Sequence, residues 1–93
     1  MNAKFEKWLN ETPNILIVNE NTDVEKELRD RHICGTIDIW IENTDTVFRV
    51  LVFFKENPVT YDVYKFKVHE DYFEEIEDYR QINIKETVEI IKR

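Results

Sequence analysis

The clearest pattern in the chain is a strict alternation of apolar and polar positions from Ile33 to Glu42. A period of two predicts a β-strand with one buried face and one largely solvated face. The next segment, from Val47 to Phe54, is apolar on both faces apart from Arg49, which predicts a central strand covered on both sides. Alternation returns from Thr60 to His69, and short polar turns separate the three segments. These strands are therefore expected to form an antiparallel meander.

In two segments before the meander, the spacing of the residues predicts α-helices. Phe5, Trp8 and Leu9 share one helical face, and Asn2 and Thr12-Pro13 are expected to cap and end this helix. A second helix is expected from Thr22 to Arg31, beginning with a capping box. Between the two helices, Ile15-Leu16-Ile17-Val18 predicts a short strand.

The last third of the chain is less regular. The segment from Glu70 to Arg80 is interpreted as a helix with its aromatic residues on one side. In the tail, Asn83 and Glu86 resemble a capping box and favour a helix, although the same isoleucines also fit an interrupted strand. The predicted fold is α+β: a three- to four-stranded antiparallel sheet with helices packed on one or both faces. Its expected order is α-β-α-β-β-β-α, with or without a final helix.

Length and composition narrow the class of protein. The 93 residues predict a single domain, 1–93, and 42% of them are hydrophobic, so the chain can build one core. No apolar run reaches the 18 or so residues of a membrane span, and the N-terminus does not resemble a signal peptide. Cys34 is the only cysteine, which excludes an internal disulfide. A cytoplasmic protein without membrane contact is expected.

The net charge of −7 is concentrated in one place. Residues 70–78 hold six acidic residues and no lysine or arginine, whereas the 13 basic and 14 acidic residues elsewhere nearly cancel. An acidic chain is a poor partner for nucleic acid, because phosphate binding needs clustered basic residues.

The sequence offers few residues that could form a catalytic or metal-binding site. His32 and Cys34 could share one face of a strand, but with His69 as the only other histidine they do not make up a four-ligand zinc site. A Cys-His nucleophilic pair would also need an orienting group and a cleft. With a single glycine, Gly35, no glycine-rich phosphate loop can be present. No catalytic residue, metal or cofactor is therefore expected.

The acidic segment and Trp40 are the expected protein-binding surface. The alternatives are that the first helix covers Trp40 and that the acidic segment is only a solvated face. A row of carboxylates can imitate a phosphate backbone, and its negative potential can steer the protein onto a basic cleft. The hypothesis is a small acidic inhibitor or immunity protein, of phage or plasmid type, whose partner is a basic nucleic-acid-binding protein. The alternative is a self-associating assembly module, such as a homodimer, and an enzyme using Cys34 or His69 is the least favoured. The expected partner-binding residues are Trp40, Glu70, Asp71, Glu74, Glu75, Glu77 and Asp78.

Overall fold

The computed structural model describes residues 3–93, which form three α-helices, a short 3₁₀ turn and five strands. In chain order these elements are α1 (Ala3–Glu11), β1 (Ile15–Val18), α2 (Val24–Arg31), the 3₁₀ turn (His32–Cys34), β2 (Thr36–Ile41), β3 (Thr46–Phe53), β4 (Thr60–Val68), β5 (Phe73–Ile82) and α3 (Ile84–Lys92).

The five strands make one mixed sheet in the order β1-β2-β3-β4-β5. The predicted α+β class is confirmed, and β3 is the central strand that its apolar pattern predicts. The prediction of three to four antiparallel strands is wrong in two respects. First, β1 pairs parallel to β2, because α2 carries the chain back to the start of the sheet between them. Second, β5 is a strand paired antiparallel to β4, where a helix was expected.

One face of the sheet, the helix side, is packed by α2 and α3. Ile37 and Ile39 of the alternating segment are fully buried here, in the same cluster as Leu28 of α2 and Ile90 and Ile91 of α3. The isoleucine face therefore holds the main core, as its period predicts. The remaining buried residues of this core are Leu16, Val18, Val24, Phe48, Val50, Val52, Tyr61 and Val63.

The opposite face, the α1 side, is covered only in part. Phe5 of α1 is 1% exposed and its ring lies edge-on to Trp40, with 5.3 Å between the ring centroids. The same ring stacks on Phe73 at 6.5 Å, and Trp8 meets Phe73 at 5.6 Å. This aromatic cluster fastens α1 to strands β2 and β5. Farther along the central strand, Phe53 stays exposed.

Two local predictions are corrected. The strand expected from Ile33 begins only at Thr36, because residues 32–34 form the 3₁₀ turn and Gly35 closes that turn with a φ of 80°. Ile33 is consequently 70% exposed rather than buried. The helix expected from Thr22 begins at Val24, where the side chain of Asp23 accepts the backbone N–H of Lys26.

Two other helix boundaries agree with the sequence. Helix α1 ends at Glu11, just before Thr12 and Pro13. Helix α3 is confirmed, and the side chain of Asn83 accepts the backbone N–H of Glu86 at its start, at 2.8 Å. The cap proposed at Asn2 lies outside the described residues. Within residues 3–93, none of the helices has the length and apolar character needed to cross a bilayer.

Candidate protein-binding surface

The acidic segment lies along one edge of the sheet. Glu74, Glu75, Glu77 and Asp78 are all exposed on β5, while Glu70 and Asp71 are exposed in the turn that leads into it. We call these six residues the acidic edge. The expected acidic helix is therefore an edge strand, and this changes how its charges are presented.

Cross-strand pairing explains why the segment is extended. In the register of β4 with β5, Lys67 lies opposite Glu74 and Lys65 lies opposite Glu77. Opposite charges facing each other across two strands stabilise their pairing. The Nζ of Lys65 is 4.0 Å from a carboxylate oxygen of Glu77. A helix over the same residues would lose these pairs and leave β4 as the unpaired edge.

The strand geometry places carboxylates on both faces of the sheet. Glu74 and Glu77 share the helix side with the two lysines, whereas Glu75 and Asp78 lie opposite Phe66 and Tyr64 on the α1 side. A β-bulge between Glu75 and Glu77 puts Ile76 out of the regular pairing. The acidic edge is therefore a two-sided rim rather than the single stripe that a helix would present.

Three of the β5 carboxylates are held by neighbouring side chains. Glu74 lies 2.7 Å from Nε2 of His69, and Asp78 accepts a 3.1 Å hydrogen bond from Nε of Arg80. The hydroxyl of Tyr79 donates to Glu77, and this bond raises the pKa of Tyr79. The hydrogen bond with Asp78 likewise raises the pKa of Arg80. These contacts orient the carboxylates while leaving them accessible to solvent.

Two large hydrophobic side chains are exposed beside the carboxylates of the acidic edge. Tyr72 is 50% exposed and stacks on His69, with the ring centroids 4.4 Å apart, and Ile76 at the bulge is 44% exposed. The helix expected for this segment would place both side chains on its apolar side, so the sequence pattern does not reveal their exposure. Their exposure follows from the extended chain, in which Tyr72 lies in the turn before β5 and Ile76 lies in the bulge.

The sequence-predicted Trp40 does not join the acidic edge. It lies on β2, and β3 and β4 separate it from β5. Its ring is half-buried against Phe5, and its indole N–H donates to the carbonyl of Thr44 at 3.0 Å. In this structure Trp40 packs α1 against the sheet.

The residues considered for nucleophilic or metal chemistry are also dispersed. His32 and Cys34 lie in the 3₁₀ turn beside β2, with Cys34 exposed, while His69 lies at the end of β4 next to Glu74. Across residues 3–93, no group of three or more histidine, cysteine or acidic side chains is arranged to hold a metal ion.

A concave region lies on the α1 side, where the C-terminal end of α1 meets the sheet. This open groove has a volume of about 710 Å³ and is lined by Trp8, Glu11, Cys34, Asp38 and Arg49, among others. Asp38 is buried, 4% exposed, and accepts bonds from Nε and Nη2 of Arg49 at 2.9 and 3.3 Å. The hydrogen bond to Asp38 raises the pKa of Arg49. Asp38 and Arg49 compensate each other, and Glu11, which also lines the groove, leaves it with a net negative charge that disfavours an anionic ligand.

Comparison of the chain with protein families, with curated proteins and with solved structures finds no match.

Proposed function

We propose that this protein binds a basic protein partner through the acidic edge and thereby occupies that partner's functional surface, as small inhibitors and immunity proteins do. The observation that carries the proposal is the row of solvent-exposed carboxylates on β5 with Tyr72 and Ile76 exposed among them. Charges steer a complementary surface into place, and large apolar side chains supply the contacts that hold it.

The spacing of the charges supports a partner that ordinarily binds nucleic acid. A β-strand advances about 3.3 Å per residue. One strand of DNA carries a charge about every 3.4 Å along the helix axis. Glu74, Glu75, Glu77 and Asp78 occupy four of five consecutive positions, so the edge approaches the linear charge density of a DNA strand. A basic cleft that encloses the edge from both faces would therefore meet a comparable density of negative charge.

The test is capture of partners from bacterial lysate by the native protein and by an edge variant. The edge variant carries Glu74→Gln, Glu75→Gln, Glu77→Gln and Asp78→Asn. A remote variant with the same net charge carries Glu6→Gln, Glu11→Gln, Glu20→Gln and Glu89→Gln, all exposed positions away from β5. Each protein is immobilised at low density, so that copies cannot pair with one another.

We expect the native protein and the remote variant to retain the same basic protein, and the edge variant to lose it. Capture should weaken between about 0.1 M and about 1 M salt, as the Debye length falls from about 10 Å to about 3 Å. Equal capture by all three proteins would show that the position of the acidic residues is irrelevant and would end the proposal.

A further inference from the structure

The sheet ends at β5 with a long unpaired backbone. This strand has ten residues, and among residues 3–93 it pairs with β4 alone. An edge of this kind can accept an added strand from another chain.

The hydrogen bonding around β4 shows which groups face outward. The amide of His69 donates to the carbonyl of Tyr72, so these two residues form a hydrogen-bonded pair. Since such pairs alternate along antiparallel strands, Phe73 and Glu75 do not bond to β4, and their N–H and C=O groups point away from the sheet. The amide of Val68, opposite Phe73, donates instead to Asp45 on the β3 side, as this alternation requires.

The other edge of the sheet is less suited to strand addition. Strand β1 has only four residues, and the carbonyl of Ile15 accepts a hydrogen bond from Nη1 of Arg31 at 3.1 Å. This edge is short and already partly occupied by a side chain. Strand β5 is longer and carries its charges on both faces.

We propose that the partner donates an extended basic segment that pairs with the outer edge of β5 and lengthens the sheet by one strand. The negative charge of β5 favours a basic segment as the added strand over a second copy of this chain. A second copy of β5 would bring carboxylates directly opposite carboxylates, which is destabilising, whereas lysines and arginines on both faces of an incoming strand would meet acids on both faces of β5. The inference rests on the proposed function and specifies how the acidic edge recognises its partner.

The test uses two synthetic peptides as long as β5. Both have lysines on both faces, interspersed with valine and threonine, and the second is N-methylated along its backbone. The side chains and charges are the same, but the methylated peptide cannot donate ladder hydrogen bonds. Affinity for the native protein and for the edge variant is measured by calorimetry, and exchange of the β5 amides by NMR.

Strand addition predicts that the unmodified peptide binds the native protein at least about tenfold more tightly than the methylated one, because several backbone hydrogen bonds are lost. It also predicts that the amides of Phe73 and Glu75 become protected from exchange. Equal binding of both peptides, or no binding of the unmodified peptide, would overturn strand addition. Binding that is equal for the native protein and the edge variant would count against the acidic edge itself, and so against the proposed function.

Discussion

At the scale of single residues, the ion pair between Asp38 and Arg49 is a feature of the α1 side that should respond strongly to the loss of one partner. The carboxylate is buried and both of its oxygens are bonded to one guanidinium, whose own side chain is half exposed. A buried charge that loses its partner is costly, whereas replacing both members with apolar groups costs much less.

We therefore expect Arg49→Met to lower the free energy of unfolding by about 3 kcal/mol, since it leaves the Asp38 carboxylate uncompensated. Urea denaturation at neutral pH measures the loss. The double variant Asp38→Val with Arg49→Met serves as the control and should recover most of the lost stability. A double variant as unstable as the single one would show that burial of an unpaired charge is not the cause.

At the scale of elements, α1 depends on its aromatic contacts. Phe5 is its only buried residue, and it touches rings from β2 and β5. The remaining helices are joined to the sheet through the continuous core on the helix side. The two faces of the sheet should therefore respond differently to loss of one side chain.

We expect Phe5→Ala to reduce stability by about 3–5 kcal/mol if α1 stays docked. If α1 instead detaches locally, the loss is smaller, and exchange protection disappears in residues 3–11 while it persists in α2 and α3. Amide exchange followed by NMR separates these two cases. The matched variant Phe5→Leu keeps an apolar group and should cost less stability than Phe5→Ala. Unchanged stability and unchanged α1 protection in Phe5→Ala would contradict this account of how α1 is attached.

At the scale of the whole molecule, the asymmetric charge is expected to control association. Like charges on an edge strand discourage pairing with copies of the same chain. The acidic edge should therefore repel a second copy while remaining attractive to a basic partner.

Sedimentation velocity tests this expectation. The native protein and the remote variant should sediment as monomers, whereas the edge variant, whose β5 no longer repels another β5, should associate as its concentration rises. A native dimer would instead favour the self-associating module, for which the exposed Phe53 on the open half of the α1 side is the natural contact. An edge variant that stays monomeric at every concentration would show that the carboxylates of the native β5 are not what prevents its self-association.

The sequence predicts which acidic residues make up the candidate surface but not the secondary structure that presents them. The six acids of the acidic edge were identified from their density between residues 70 and 78, and all are exposed. Their predicted secondary structure was wrong, because a glutamate-rich segment with Phe73, Ile76 and Tyr79 three residues apart fits a helix when it is considered alone. Trp40 was grouped with them because nothing in its local sequence shows that Phe5 covers it.

The sequence by itself determined those elements whose burial pattern and capping residues lie within the same short segment. The alternation through Ile37 and Ile39 identifies a half-buried strand, the apolar run of β3 identifies a central one, and Asn83 with Glu86 identifies the start of α3. Only the tertiary structure decided the strand state of β5, because its backbone pairs with β4 and its carboxylates lie opposite Lys65 and Lys67 of that strand. A helix satisfies its backbone within one segment, whereas an edge strand obtains its hydrogen bonds and its charge pairs from the neighbouring strand.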